Sequence, residues 1–107
     1  MATRDYKESL KDIIKTPDDM AAYINAVLDE DPSALPLALR NLADIGGMTR
    51  LARITGLNRT GLYNMLEKNG NPEWSSLYKI LRAFNVRLSA RTVNKDENST
   101  NGHPASG

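Results

Sequence analysis

The feature that most constrains this chain is one glycine, Gly56, set between two short apolar patterns. In residues 48–68, MTRLARITGLNRTGLYNMLEK, Leu51 and Ala52 stand on one face before it. Leu62, Met65 and Leu66 share one face after it, at the spacings a helix requires. A residue without Cβ lets the chain leave the first helix at positive φ and turn sharply. Asn58 is then placed to cap the second helix by accepting a backbone N–H from its first turn. Two short helices joined in this way make a helix-turn-helix.

The outer face of the second helix bears on function. With Leu62, Met65 and Leu66 inward, Thr60, Asn64 and Glu67 point outward, Tyr63 flanks them and Arg59 reaches forward from the first turn. Arg pairs with guanine edges, Asn with adenine, and Thr with a thymine methyl or a phosphate, while Tyr suits a phosphate. A helix that docks in the major groove offers such residues from its N-terminal half. The same pattern also fits two packed helices with a solvated polar face, so the residues alone leave both readings open.

At 107 residues the chain is long enough for one domain with a single core. It has no cysteine, hence no disulfide framework and no thiolate metal site, which fits a reducing cytoplasm. Its start, MATRDYKESLKD, lacks an apolar signal core, and no apolar run approaches the roughly 18 residues of a membrane span. The expectation is a cytoplasmic protein with no membrane attachment. The overall charge is +1, but the halves differ: residues 1–46 hold five basic and nine acidic residues, net −4, and residues 47–107 hold nine basic and four acidic, net +5. The positive half contains the helix pair. This asymmetry is expected if one half meets phosphate and the other meets something basic. Ordinary helix-end electrostatics at Asp18, Asp19 and Asp31 explain part of it.

Around this pair the chain reads as further helices. Residues 1–15 have weak periodicity, with Tyr6, Leu10, Ile13 and Ile14 able to share a face but no cap before them, and read as an extended or partly ordered arm. Thr16-Pro17-Asp18-Asp19 is a helix start with Thr as N-cap, and Met20, Tyr23, Ile24, Val27 and Leu28 continue its stripe to about Asp29. Asp31-Pro32 opens a helix whose stripe is Leu35, Leu39, Leu42, Ala43 and Ile45, ended by Gly46-Gly47. After the pair, Asn69-Gly70-Asn71-Pro72 is a dense turn signal, with Gly70 expected in a C-cap conformation. Trp74, Leu77, Ile80, Leu81 and Phe84 form the stripe of a last helix, with Trp74 expected as its largest buried surface and Asn85 as a left-handed cap. From Val86 to Val93 the period becomes alternating, which predicts a short strand needing a partner strand or its own copy across a two-fold axis. Residues 94–107 carry almost no apolar side chain and read as a disordered tail. The expected fold is all-α: a five-helix domain with a helix-turn-helix over 16–93 and a short C-terminal strand, between an arm over 1–15 and the tail.

No catalytic, cofactor-binding or metal-binding residue is expected. His103, the sole histidine, lies in the tail without a second ligand, and the glycines lack the strand and the Lys-Ser/Thr of a phosphate-cradling loop. The acidic pairs fall at helix ends, where capping explains them.

With Ala52, Gly56, Leu62-Tyr63, Gly70-Asn71-Pro72 and Leu77 to Leu81 laid out, the chain resembles the probable addiction-module antidote family, a branch of the phage-repressor-like (XRE, Cro/C1-type) helix-turn-helix proteins. The resemblance covers about residues 16–91. It rests on LARITGLNRTGLY, the GNP turn, LYKILRAFNVRLS and the TPDDMAAYINAVLDED opening. It implies an antitoxin of a type II module that neutralises a small basic toxin of the RelE/ParE-like kind and binds operator DNA of its own gene pair, in the cytoplasm and as a homodimer. Carried over by position, Arg59, Thr60 and Asn64 fall at base-reading positions, and Thr49 and Arg50 fall where phosphates are contacted. Asn58 and Tyr63 complete the expected DNA-binding set. Two residues depart from the family's pattern: Gly61 stands where a better helix former is common, and Thr60 replaces a commonly acidic residue, so base preference does not transfer from relatives.

Two other readings compete with the antitoxin: a stand-alone prophage-type transcriptional regulator without a toxin, and a helical interaction module that has lost DNA binding.

Overall fold

The computed structural model describes the backbone of residues 2–93 and the side chains of residues 8–93. The described residues form six α-helices: α1 (Ala2–Ile13), α2 (Pro17–Glu30), α3 (Leu35–Gly46), α4 (Met48–Thr55), α5 (Arg59–Met65) and α6 (Trp74–Ala83), with a 3-10 turn at Pro32–Ala34. The all-helical expectation agrees with this, and two of its details change.

The first change is α1, where an extended or partly ordered arm was expected. Helix α1 packs on α3, and Leu10 and Ile14 are buried in the core while Ile13 stays 65% exposed. Its stabilisation comes from long-range packing, which a weak local pattern does not announce. The second is the segment from Val86 to Val93, which runs without regular secondary structure and forms no strand. Among the described residues it has no ladder partner, and alternation alone does not satisfy a strand's backbone. The disordered tail expected over 94–107 lies outside the described residues.

The helix ends follow local chemistry closely. Thr16 caps α2 in a capping box: its hydroxyl oxygen accepts the Asp19 N–H at 3.1 Å, and the Asp19 carboxylate accepts the Thr16 N–H at 3.0 Å and the Lys15 N–H at 2.9 Å. Those two backbone donors, Lys15 first, hold the Asp19 carboxyl below its ordinary value of 3.8. Asp31 accepts from the Ser33 N–H and hydroxyl at 3.2 and 2.6 Å, fixing the 3-10 turn that leads into α3. At the end of α6, Asn85 takes the left-handed conformation expected of it, φ 62°. There the Val86 N–H bonds to Leu81 C=O and the Asn85 N–H to Arg82 C=O, a Schellman termination sealed by buried Val86.

The core is built where the helices cross, from Ile24 of α2, Leu39, Leu42 and Ala43 of α3, Met48 and Leu51 of α4, Leu62 and Leu66 at α5, and Ile80 and Leu81 of α6. Asn41 is the buried polar side chain; its amide donates to the Tyr23 hydroxyl at a long 3.5 Å, tying α3 to α2. Trp74 departs from expectation. It is 59% exposed and lies against Tyr78, centroids 5.9 Å apart, with Arg82 beyond them 5.8 Å from the Tyr78 ring. Residues 74, 78 and 82 recur every four positions and form a surface row beside the buried stripe of Ile80 and Leu81. Gly70 also differs. Its φ is not in the left-handed region; a Cβ there would collide with the Met65 carbonyl oxygen, so glycine is required by close approach.

Candidate nucleic-acid interface

The turn between α4 and α5 is fixed by three local devices. Gly56 ends α4 at φ 74°, ψ 10°, with its N–H bonded to Ala52 C=O at 2.9 Å. The Thr55 hydroxyl donates to Leu51 C=O at 2.8 Å and accepts the Leu57 N–H at 3.2 Å, which stitches the last turn of α4 to the connection. Asn58 caps α5 as expected, its side-chain oxygen accepting the Gly61 N–H at 3.0 Å. Leu51, Leu62 and Leu66 are buried below this turn, so the geometry of the pair is set by the core.

The outer side of α5 carries the predicted residues. Arg59, Thr60 and Asn64 are exposed, as is Asn58, whose side-chain oxygen is engaged in the cap. Tyr63 is half-buried and packs on the core edge. The Arg59 guanidinium carbon lies 5.7 Å from the centroid of its ring. Thr49 and Arg50 are exposed in the first turn of α4. Arg50 borders a different surface, a cleft of about 360 Å³ that it shares with Lys15, Ile54, Phe84 and Asn85. The expected set is therefore one cluster on α5 and a separate pair on α4.

Sequence reasoning missed two contributors. Thr55 gave no signal because its role depends on a hydroxyl reaching back to its own helix. Arg40, on α3, has its guanidinium carbon 5.0 Å from the centroid of the Tyr63 ring. It lies far upstream in a helix read only for its apolar stripe, and nothing local marks it.

No group of three or more His, Cys, Asp or Glu side chains converges as metal ligands do among the described residues, and no described helix is long and apolar enough to cross a membrane. What the fold presents is a differentiated surface, polar and basic on α4 to α6 and acidic at the ends of α2. The class so defined is a small protein whose described residues are all-helical. The family described as "Probable addiction module antidote protein" matches residues 6–92, and the chain belongs to it. It is also 32% identical over 90 residues to an uncharacterised protein of Haemophilus influenzae, covering 78% of this chain and 93% of that one. No solved structure gives a significant match. Membership points to an antitoxin-type, regulatory role and implies a toxin as partner.

Proposed function

We propose that the protein is the antitoxin of a type II toxin–antitoxin module, neutralising a RelE/ParE-like toxin by direct binding and repressing its own operon by binding operator DNA through α4, the turn and α5. The observation that carries the DNA half is the division of α5: Leu62 buried on one side, Arg59, Thr60 and Asn64 exposed on the other. In this reading α4–turn–α5 is a helix-turn-helix of the XRE, Cro/C1 type. Arg59, Thr60 and Asn64 read base edges, Asn58 and Tyr63 flank them, and Thr49 and Arg50 take phosphates. The basic half supplies the sequence-independent attraction to DNA.

The toxin meets the acidic half, where Asp18, Asp29 and Glu30 of α2 are exposed and complement a basic partner. The protein acts in the cytoplasm as a homodimer and without a cofactor. Residues 86–93 supply the dimer contact, since they find no ladder partner among the described residues of one chain and a second copy offers one. Two copies so joined place two recognition helices about one DNA turn, roughly 34 Å, apart on a palindromic site.

Co-expression with the product of a small basic reading frame next to the gene tests this function. The two should purify together on one affinity tag, and the antitoxin should restore growth that the partner alone arrests. Operator binding with no co-purifying partner would replace the antitoxin by a stand-alone regulator using the same face. Loss of both would leave a helical interaction module.

A further inference from the structure

We infer that Arg40 of α3 is a second DNA contact, coupled to Arg59 through the Tyr63 ring, and that it takes a backbone phosphate at the rim of the groove that Arg59 enters. This rests on the reading of α5 as the DNA-facing helix. The two guanidinium carbons lie 5.0 and 5.7 Å from one ring centroid, both within the reach of a cation–π contact. The Tyr63 ring is half-buried against the core, so it is a fixed platform for two otherwise flexible side chains. Arginine suits this arrangement better than lysine, because its planar head stacks on an aromatic face while its N–H groups stay directed at an anion.

Two charges share one ring. Such a doublet attracts a polyanion. The two cations are at most about 11 Å apart, within the roughly 12 Å width of a major groove, so both can engage one groove. Arg40 then adds affinity without reading sequence, and Tyr63 is a positioning residue for both.

Duplexes selected from a random-sequence pool by the wild-type protein, and scrambled versions of them, supply the probes for anisotropy titrations at several salt concentrations. Arg40→Ala should weaken both duplexes by the same factor and lower the slope of log K against log salt by about 0.9, so that the affinity lost between roughly 50 and 200 mM salt shrinks about 3.5-fold. Arg59→Ala should weaken the selected duplex more than the scrambled one. Tyr63→Leu should weaken binding while leaving the slope unchanged, because both charges remain. Thermal melts confirm that each variant is folded, and Arg40→Lys, which keeps the charge, should retain the slope if a variant at this site needs a gentler comparison. An unchanged slope in Arg40→Ala, with Arg59→Ala still impaired, overturns the Arg40 contact and leaves the DNA-facing reading of α5 standing. A wild type that selects no duplex overturns both.

Discussion

Replacing Gly61 with alanine isolates what the glycine in α5 costs and whether it has a use. Gly61 is the third residue of α5, its φ is not in the left-handed region, and its N–H is bonded to Asn58. A Cβ built there would meet only the Asn58 Cβ at 3.8 Å and its Oδ1 at 4.0 Å, ordinary contacts that leave the cap in place. Alanine therefore gains helix propensity and restricts the unfolded chain without strain. The two descriptions overlap rather than add, and the expected stabilisation is about 0.4 to 1 kcal/mol. For a domain of this size that is a rise in Tm of roughly 2 to 8 °C. Circular dichroism melts of wild type and Gly61→Ala measure it. A lower Tm would refute the reasoning, showing strain at a position described as open. The same variant probes function: if Gly61 lets a phosphate approach the backbone, DNA affinity falls while Tm rises, and affinity that stays intact denies the glycine that role.

Gly70→Ala should act in the opposite sense, because the new Cβ meets the Met65 and Glu67 carbonyls, backbone that does not yield; a loss of about 1 to 3 kcal/mol in denaturant unfolding is expected, and an unchanged midpoint would contradict it. Asp19 has a carboxyl pKa lowered in the fold, so its contribution is present above its unfolded value near 3.8 and is lost as pH falls through the lower folded value. Below about pH 4 wild type should therefore lose stability that Asp19→Asn does not, and parallel pH–stability curves for the two would deny the linkage. Leu88→Pro removes a backbone N–H from residues 86–93 and should turn a dimer into a monomer in sedimentation; a monomeric wild type, or a mutant that stays dimeric, would take this segment out of the interface.

What was legible in the sequence is what local chemistry decides. The Thr16 N-cap, the Gly56 turn, the Asn58 cap and the left-handed Asn85 each depend on residues within one turn of each other, and each stands in the fold. The buried stripes of α3 and α6 followed from periodicity, since Leu39, Leu42, Ile80 and Leu81 are all within 1% of full burial. Long-range contacts were not legible. Helix α1 forms on α3 because Leu10 and Ile14 find a core there. Trp74 sits at the edge of its stripe in the first turn of α6, where it remains largely exposed. The alternation of residues 86–93 predicts a strand that does not form among the described residues, because a pattern supplies no partner. At the candidate site, the α5 residues were found from their helical positions, while Arg40 reaches Tyr63 only through the packing of α3.

The most direct test of the central claim, that the outer face of α5 reads DNA, is a map of backbone amide shifts in the 15N-labelled protein as a selected duplex is added. The account predicts that the amides of 58–64 and of Thr49 and Arg50 move most, with Arg40 alongside them, while the exposed acidic ends of α2 at Asp18, Asp29 and Glu30 stay in place. Shifts confined to α2, to residues 86–93 or to the Trp74–Tyr78 row, with α5 unmoved, would contradict it.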